Sequence, residues 1–145
     1  MKRLLIVFIF LPLLFASQAQ SIKEANVPEK VKKAFSNYYP EASNIKWNKD
    51  KRGFEVNFKL EDMQASLVLN PDGKLLETKT TALLPELPQN LLDYISVNYK
   101  DYKIENQEKI VDYEGTIIYK ISLSKRKLQK ILLFTDDGHL FKNNH

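Results

Sequence analysis

The sequence predicts an α+β fold. Two tandem α-β-β-β-β repeats are expected to form one antiparallel eight-stranded sheet with both helices packed on one face. Three observations carry this. Val27-Pro28-Glu29-Lys30-Val31 returns as Leu87-Pro88-Gln89-Asn90-Leu91, 60 residues on. Phe54-Glu55-Val56-Asn57-Phe58 returns as Tyr119-Lys120-Ile121-Ser122-Leu123, 65 residues on, and Asn70-Pro71-Asp72-Gly73 returns as Thr135-Asp136-Asp137-Gly138 at the same offset. The change of offset places an insertion of about five residues in the loop region after the second helix. Short turns join the strands, which forces antiparallel neighbours because parallel pairs need long crossovers.

Residues 1–19 read as a signal peptide. Lys2 and Arg3 form a positive start, Leu4 to Phe15 an apolar run broken only by Pro12, and Ser17-Gln18-Ala19 offers small residues for cleavage after Ala19. The run is short of the ~20 apolar residues that span a bilayer, so no membrane span is expected after cleavage. An uncleaved anchor is the competing reading. No cysteine follows the run, which argues against a lipid anchor. A periplasmic or secreted location is therefore expected.

Removing Lys2 and Arg3 leaves 20 basic residues against 18 acidic ones, a net charge near +2. Nucleic acid is not expected as a partner, since the mature chain has no strong basic field. The absence of cysteine removes disulfides as a staple for an exported chain. One ~60-residue repeat would bury only about 60% of its unfolded surface. Two copies sharing one larger core would be more stable, and a monomer is expected.

Residues 20–26 form a polar lead-in. The first repeat covers residues 27–80, a connector residues 81–86, and the second repeat residues 87–145. The first helix runs from Pro28 to about Tyr39. Val31, Ala34, Phe35 and Tyr38 recur at helical spacing, Lys30, Lys32, Lys33 and Asn37 lie opposite, and Pro40 ends it. Ile45 and Trp47 start the strands. Phe54, Val56, Phe58 and Leu60 alternate with Glu55, Asn57, Lys59 and Glu61, a period of two. Met63, Ala65, Leu67 and Leu69 continue the apolar row, the Asn70–Gly73 turn follows, and Leu75 to Thr80 is the fourth strand. The second helix presents Leu91, Tyr94, Ile95 and Asn98 on its inner side. Strands then follow at Tyr102–Val111, from Ile117 through Leu123, at Leu128–Phe134 and at His139–Lys142. Lys130 falls on the apolar row and breaks its pattern.

This arrangement resembles the periplasmic PepSY-like family that shares its fold with the secreted β-lactamase inhibitor protein. The residues carrying the likeness are Val27-Pro28 and Leu87-Pro88, Tyr39-Pro40-Glu41-Ala42 leading into Ile45-Lys46-Trp47, Phe54-Glu55-Val56, and Asp72-Gly73-Lys74-Leu75. The likeness implies an exported, non-enzymatic module whose relatives bind or inhibit other proteins through an open sheet face. The second copy departs from the pattern near Gln107, where tryptophan is missing, and at Lys100, where the first copy has Pro40.

No residue set points to catalysis, a cofactor or a metal. The only histidines are His139 and His145, too few with no cysteine for a zinc site without several carboxylates. Ser122 and Ser124 lack the glycine elbow of a serine hydrolase, and Asp136-Asp137 lacks the ligand run of a calcium loop. A carboxylate enzyme would have to draw on Glu55, Asp112 and Glu114. Lys125-Arg126-Lys127 reads as a solvated turn, or as a contact for an acidic partner. Trp47 alternates with Ile45 and is expected in the core.

The strongest candidate surface is the row facing away from the helices. Alternation puts Glu55, Asn57, Lys59, Gln64, Ser66, Lys120, Ser122 and Gln129 there, together with the apolar Val68, Ile118, Ile131 and Leu133. Apolar residues grouped on a polar face fit a site for a protein or peptide partner in the cell envelope. The alternative is a carrier holding a small molecule or envelope component between helices and sheet. Large residues at 35, 38, 47, 54 and 58 would fill that space.

Overall fold

A computed structural model of the chain describes residues 20–141. The expected signal peptide, residues 1–19, lies outside them, as do Lys142 and His145. The elements run β1 (Gln20–Ile22), a 3-10 turn (Glu24–Asn26), α1 (Glu29–Tyr38), β2 (Ser43–Asp50), β3 (Gly53–Leu60), β4 (Met63–Leu69) and β5 (Leu75–Thr81). A second 3-10 turn (Leu84–Glu86) then leads to α2 (Gln89–Asn98), β6 (Lys103–Asp112), β7 (Ile117–Lys125) and β8 (Leu128–Thr135). All eight strands form one sheet in chain order, each antiparallel to the next.

The expected fold class is the observed one, reached with two changes at the ends. Gln20–Ile22, expected as lead-in, is the edge strand β1, with Ile22 paired to Trp47. Three mostly polar residues give no alternation to read. At the other end, the expected strand over residues 139–142 is a single bridge between Phe134 and Leu140 within the described residues. The insertion also moves. Trp47 pairs with Val56 and its counterpart Gln107 pairs with Ile121, so the span of nine residues becomes fourteen. The extra five residues therefore lengthen the β6–β7 hairpin and leave the loop after α2 unchanged.

Both helices start at a proline whose carbonyl takes the first helical N–H groups. Pro28 accepts from Val31 and Lys32 at 3.0 and 3.1 Å, and Pro88 from Leu91 and Leu92 at 3.1 and 3.3 Å. Directly paired residues of an antiparallel ladder share a face. The rows Val56–Leu67–Thr78–Val111–Ile117 and Thr80–Lys109–Tyr119–Phe134 thus put the residues under α1 and under α2 on the same side.

The buried residues do not pool into one core. Val31 and Phe35 of α1 pack with Trp47, Phe54, Val56, Phe58, Leu67 and Leu69, while Leu91 and Ile95 of α2 pack with Tyr119, Ile121, Leu123 and Phe134. Between the clusters the helix side of the sheet carries Thr78, Thr80 and Lys109, which cannot continue an apolar core. Three residues of the expected apolar rows sit half exposed. Ile45 lies in the register break of β2, Met63 at the start of β4, and Tyr38 gives way to Tyr39 against the core. Lys130 is paired with Leu123 on the helix side, with its ammonium 5.9 Å from the Tyr99 ring, so its row simply runs out beyond the cover of α2.

Candidate functional site

The pairing register decides which residues share the uncovered face. One row crosses the sheet as Asn48–Glu55–Val68–Glu77–Asp112. The next runs Lys46–Asn57–Ser66–Lys79–Ile110–Ile118–Thr135. Lys59 pairs with Gln64, and Thr81, Glu108, Lys120 and Leu133 continue that level, followed by Asn106, Ser122 and Ile131. Glu55, Asn57, Lys59, Gln64, Ser66 and Val68 from the first repeat therefore share one surface with Ile118, Lys120, Ser122, Ile131 and Leu133 from the second. Gln129 joins them opposite Ser124.

The two halves of this face differ in chemistry. At matching positions Glu55 becomes Lys120, Ser66 becomes Ile131 and Gly53 becomes Ile118. Of the expected face residues the first half holds one apolar side chain, the buried Val68, whereas the second holds Ile118, Ile131 and Leu133 beside Lys120 and Ser122. Ile131 stands 63% exposed on it.

A charged lattice spans the middle strands. Arg52 reaches Glu77 at 2.7 Å and Asp50 at 3.1 Å, and Lys79 reaches Glu55 at 3.1 Å and Glu77 at 3.3 Å. Beneath it Val68 is wholly buried and Ser66 nearly so, although no helix covers this side. The aliphatic stems of long charged residues cover apolar surface in this way. For Lys79, burial disfavours the charged form, but the carboxylates of Glu55 and Glu77 outweigh it and raise its pKa. Burial likewise works against the Asp50 carboxylate, and the backbone N–H and guanidinium of Arg52 overcome it and lower its pKa. Glu108 and Lys120 pair across β6 and β7 at 2.8 Å. The buried Glu108 Oε2 has no well-directed hydrogen bond, so this contact is Coulombic.

At the hairpin end of the seam a cavity of about 290 Å³ opens beside Leu76, Ile110, Tyr113 and Ile118. Leu76 is the extra residue of a bulge, because Leu69 pairs with Leu75 while Val68 pairs with Glu77. Its carbonyl accepts the Tyr113 N–H at 3.0 Å, tying the lengthened hairpin to β5. Sequence reasoning missed Arg52, Leu76, Glu77, Lys79, Glu108 and Ile110 as members of the face. Alternation through Leu75–Thr81 carried the signal for Glu77 and Lys79, but the bulge shifts the phase at Leu76.

The residues weighed for other chemistry are engaged within the fold. Trp47 is in the core, edge-on to Phe35 at 5.5 Å, with its indole N–H unpartnered. Phe35 and Tyr39 close on Phe58 at 5.1 and 4.8 Å, filling the space a carrier would need under α1. Glu55 is held by Lys79, and the Asp112 carboxylate accepts the N–H groups of Glu114 and Thr116 at 2.8 and 2.9 Å. His139 pairs with Asp137 at 2.9 Å, Ser124 donates to Glu105, and Lys125 is paired with Asp101 at 2.9 Å. Among the described residues no group of His, Cys, Asp or Glu is arranged to hold a metal ion.

The model of the family described as "Putative beta-lactamase-inhibitor-like, PepSY-like" matches residues 14–77 and again 76–142. The chain belongs to this family. One match falls on each half of the chain, in keeping with two tandem repeats. Among solved structures, a Bacteroides eggerthii protein described as "putative periplasmic" superposes with a TM-score of 0.74 at 22% identity, over 80% of this chain and 86% of that one. A DUF2874 family protein from Bacteroides uniformis gives 0.71 at 17% identity, over 79% and 86%. A BLIP-like protein from Bacteroides fragilis gives 0.64 at 18% identity, over 79% and 84%. These likenesses establish the fold. No curated protein matches the chain. Among the described residues no helix is long and apolar enough to cross a membrane.

Proposed function

We propose that the chain is an exported, non-enzymatic binding module that presents the open face of its sheet to a protein or peptide partner in the cell envelope. The observation carrying this reading is the one-sided roof. Both helices cover the same side, and the other side gathers Glu55, Asn57, Lys59, Gln64, Ser66 and Val68 with Ile118, Lys120, Ser122, Ile131 and Leu133. Apolar side chains grouped on one half of a sheet beside charged ones provide both burial and register for an incoming chain. The family's inhibitor-like description and the periplasmic description of a structural neighbour support the binding and export parts of the reading. Inhibition would follow where the captured segment is part of another protein's working surface.

The test is photo-crosslinking in cells, with a reactive group at Lys59 or Ile131 on the open face and at Lys33 on α1 as control. Capture of the same envelope partner from both open-face positions and not from Lys33 supports the reading. Equal capture from all three, or none, overturns it.

A further inference from the structure

The cavity at the hairpin end of the seam narrows the reading above, on which it rests, to a partner chemistry. It is a product of the places where the second repeat departs from the first. Tyr113 and Asp112 belong to the lengthened hairpin, and Ile118 stands where the first repeat has Gly53. Ile110 and Ile118 are direct cross-strand partners, and the bulge residue Leu76 lies beside them. The cavity is thus apolar at its centre, and the first repeat, with Gly53 at the position of Ile118, lacks that side chain.

Its edge is acidic. Arg52 is the cation among the lining residues, and its guanidinium is already held by Glu77 at 2.7 Å and Asp50 at 3.1 Å. Lys79 is likewise taken by Glu55 and Glu77. The Lys74 ammonium faces the Tyr113 ring at 5.3 Å. Asp112 forms no ion pair among the described residues; its partners are the backbone N–H groups of Glu114 and Thr116 and the Thr116 hydroxyl, none of them charged. The Thr116 backbone N–H is the largest influence holding this carboxyl below its ordinary pKa, so it is charged at neutral pH. An apolar slot with one unmatched carboxylate at its rim suits a side chain with a methylene stem and a cationic head. A purely apolar side chain would leave Asp112 unmatched, and an acidic one would be repelled.

We propose that this cavity receives a lysine or arginine side chain displayed by the partner, its stem against Leu76, Ile110 and Ile118 and its head on Asp112. The test uses small probes on the mature chain with labelled isoleucine methyl groups. n-Butylammonium, neutral n-pentanol and anionic pentanoate are titrated separately while the methyl signals are followed. Ile110 and Ile118 should respond to the ammonium about three- to fivefold more tightly than to the alcohol, as one exposed ion pair permits. Pentanoate should bind most weakly. Asp112→Asn keeps an acceptor for the turn N–H groups and should bring ammonium and alcohol to equal affinity. Equal affinity in the unaltered protein, responses confined to other methyls, or unchanged selectivity in Asp112→Asn would overturn the proposal. Crosslinking from Lys59 separates the two readings. Capture that Asp112→Asn leaves at full yield removes the cavity and keeps the face, whereas no capture from the unaltered protein removes the face itself.

Discussion

Gly53→Ala is the sharpest probe of how the first hairpin is closed. Gly53 opens β3 at φ +156°, and a β-carbon there would lie 2.2 Å from the Leu69 carbonyl oxygen and 2.9 Å from the Asn70 Cα. Ordinary contact needs 3.4 Å or more, and both obstacles are backbone, so no side-chain rotation relieves them. The β3 and β4 ends must part by roughly 1 Å, which strains the Phe54–Leu69 pair at the edge of the first core. The strained backbone costs about 1–3 kcal/mol. A lost ladder hydrogen bond with disturbed packing of two buried side chains adds about 2 kcal/mol. The expected loss is about 3–5 kcal/mol out of the ~5–15 kcal/mol available to a domain. Gly115→Ala is the matched control: it also has positive φ, at +86°, but nothing stands within 4 Å of the new carbon, so about 1 kcal/mol is expected. Urea unfolding followed by circular dichroism measures both. If Gly53→Ala is no less stable than Gly115→Ala, the close approach of Gly53 to Leu69 is wrong.

Trp47→Phe should lie within about 1 kcal/mol of the unaltered protein, because it removes an unpartnered buried N–H along with some volume, whereas Trp47→Ala should cost about 3–5 kcal/mol; chemical denaturation measures both. Arg52→Ala should move acid unfolding to higher pH. The depressed Asp50 carboxyl stabilises the fold above its ordinary value of 3.8, and that contribution fades as pH falls through the lower folded value; without the guanidinium the fade begins earlier, visible in the acid limb by circular dichroism. Leu91→Ala should cost about 2–5 kcal/mol and raise amide exchange in β7 and β8 before β3 and β4, since Leu91 packs only in the second cluster; equal acceleration everywhere would contradict two separate cores.

Much of this molecule could be read from its residues. Val31 with Phe35 and Leu91 with Ile95 declare the inner helix faces. The alternation of Phe54 through Leu60 fixes both sides of β3, and from there short turns carry the face assignment through β8. Residues whose position depends on a partner strand were hidden. Gln20–Ile22 become a strand only because β2 offers an edge, and Leu76 changes phase only because β4 and β5 pair with a bulge. The insertion was legible as a length but not as a place, since either of two loops could absorb five residues until Gln107 met Ile121. The pooled interior failed on Thr78, Thr80 and Lys109, which the turn-by-turn pattern could not rank as a polar divide.

That divide has a mechanical consequence. β5 and β6 meet through a ladder running from Glu77–Asp112 to Thr81–Glu108, and among the described residues no pair of aromatic rings packs across it. With an oily block on either flank and polar side chains between them, the helix side of the sheet is least packed along this line. The β5–β6 line is therefore where a change in the curvature of the open face would disturb neither oily block.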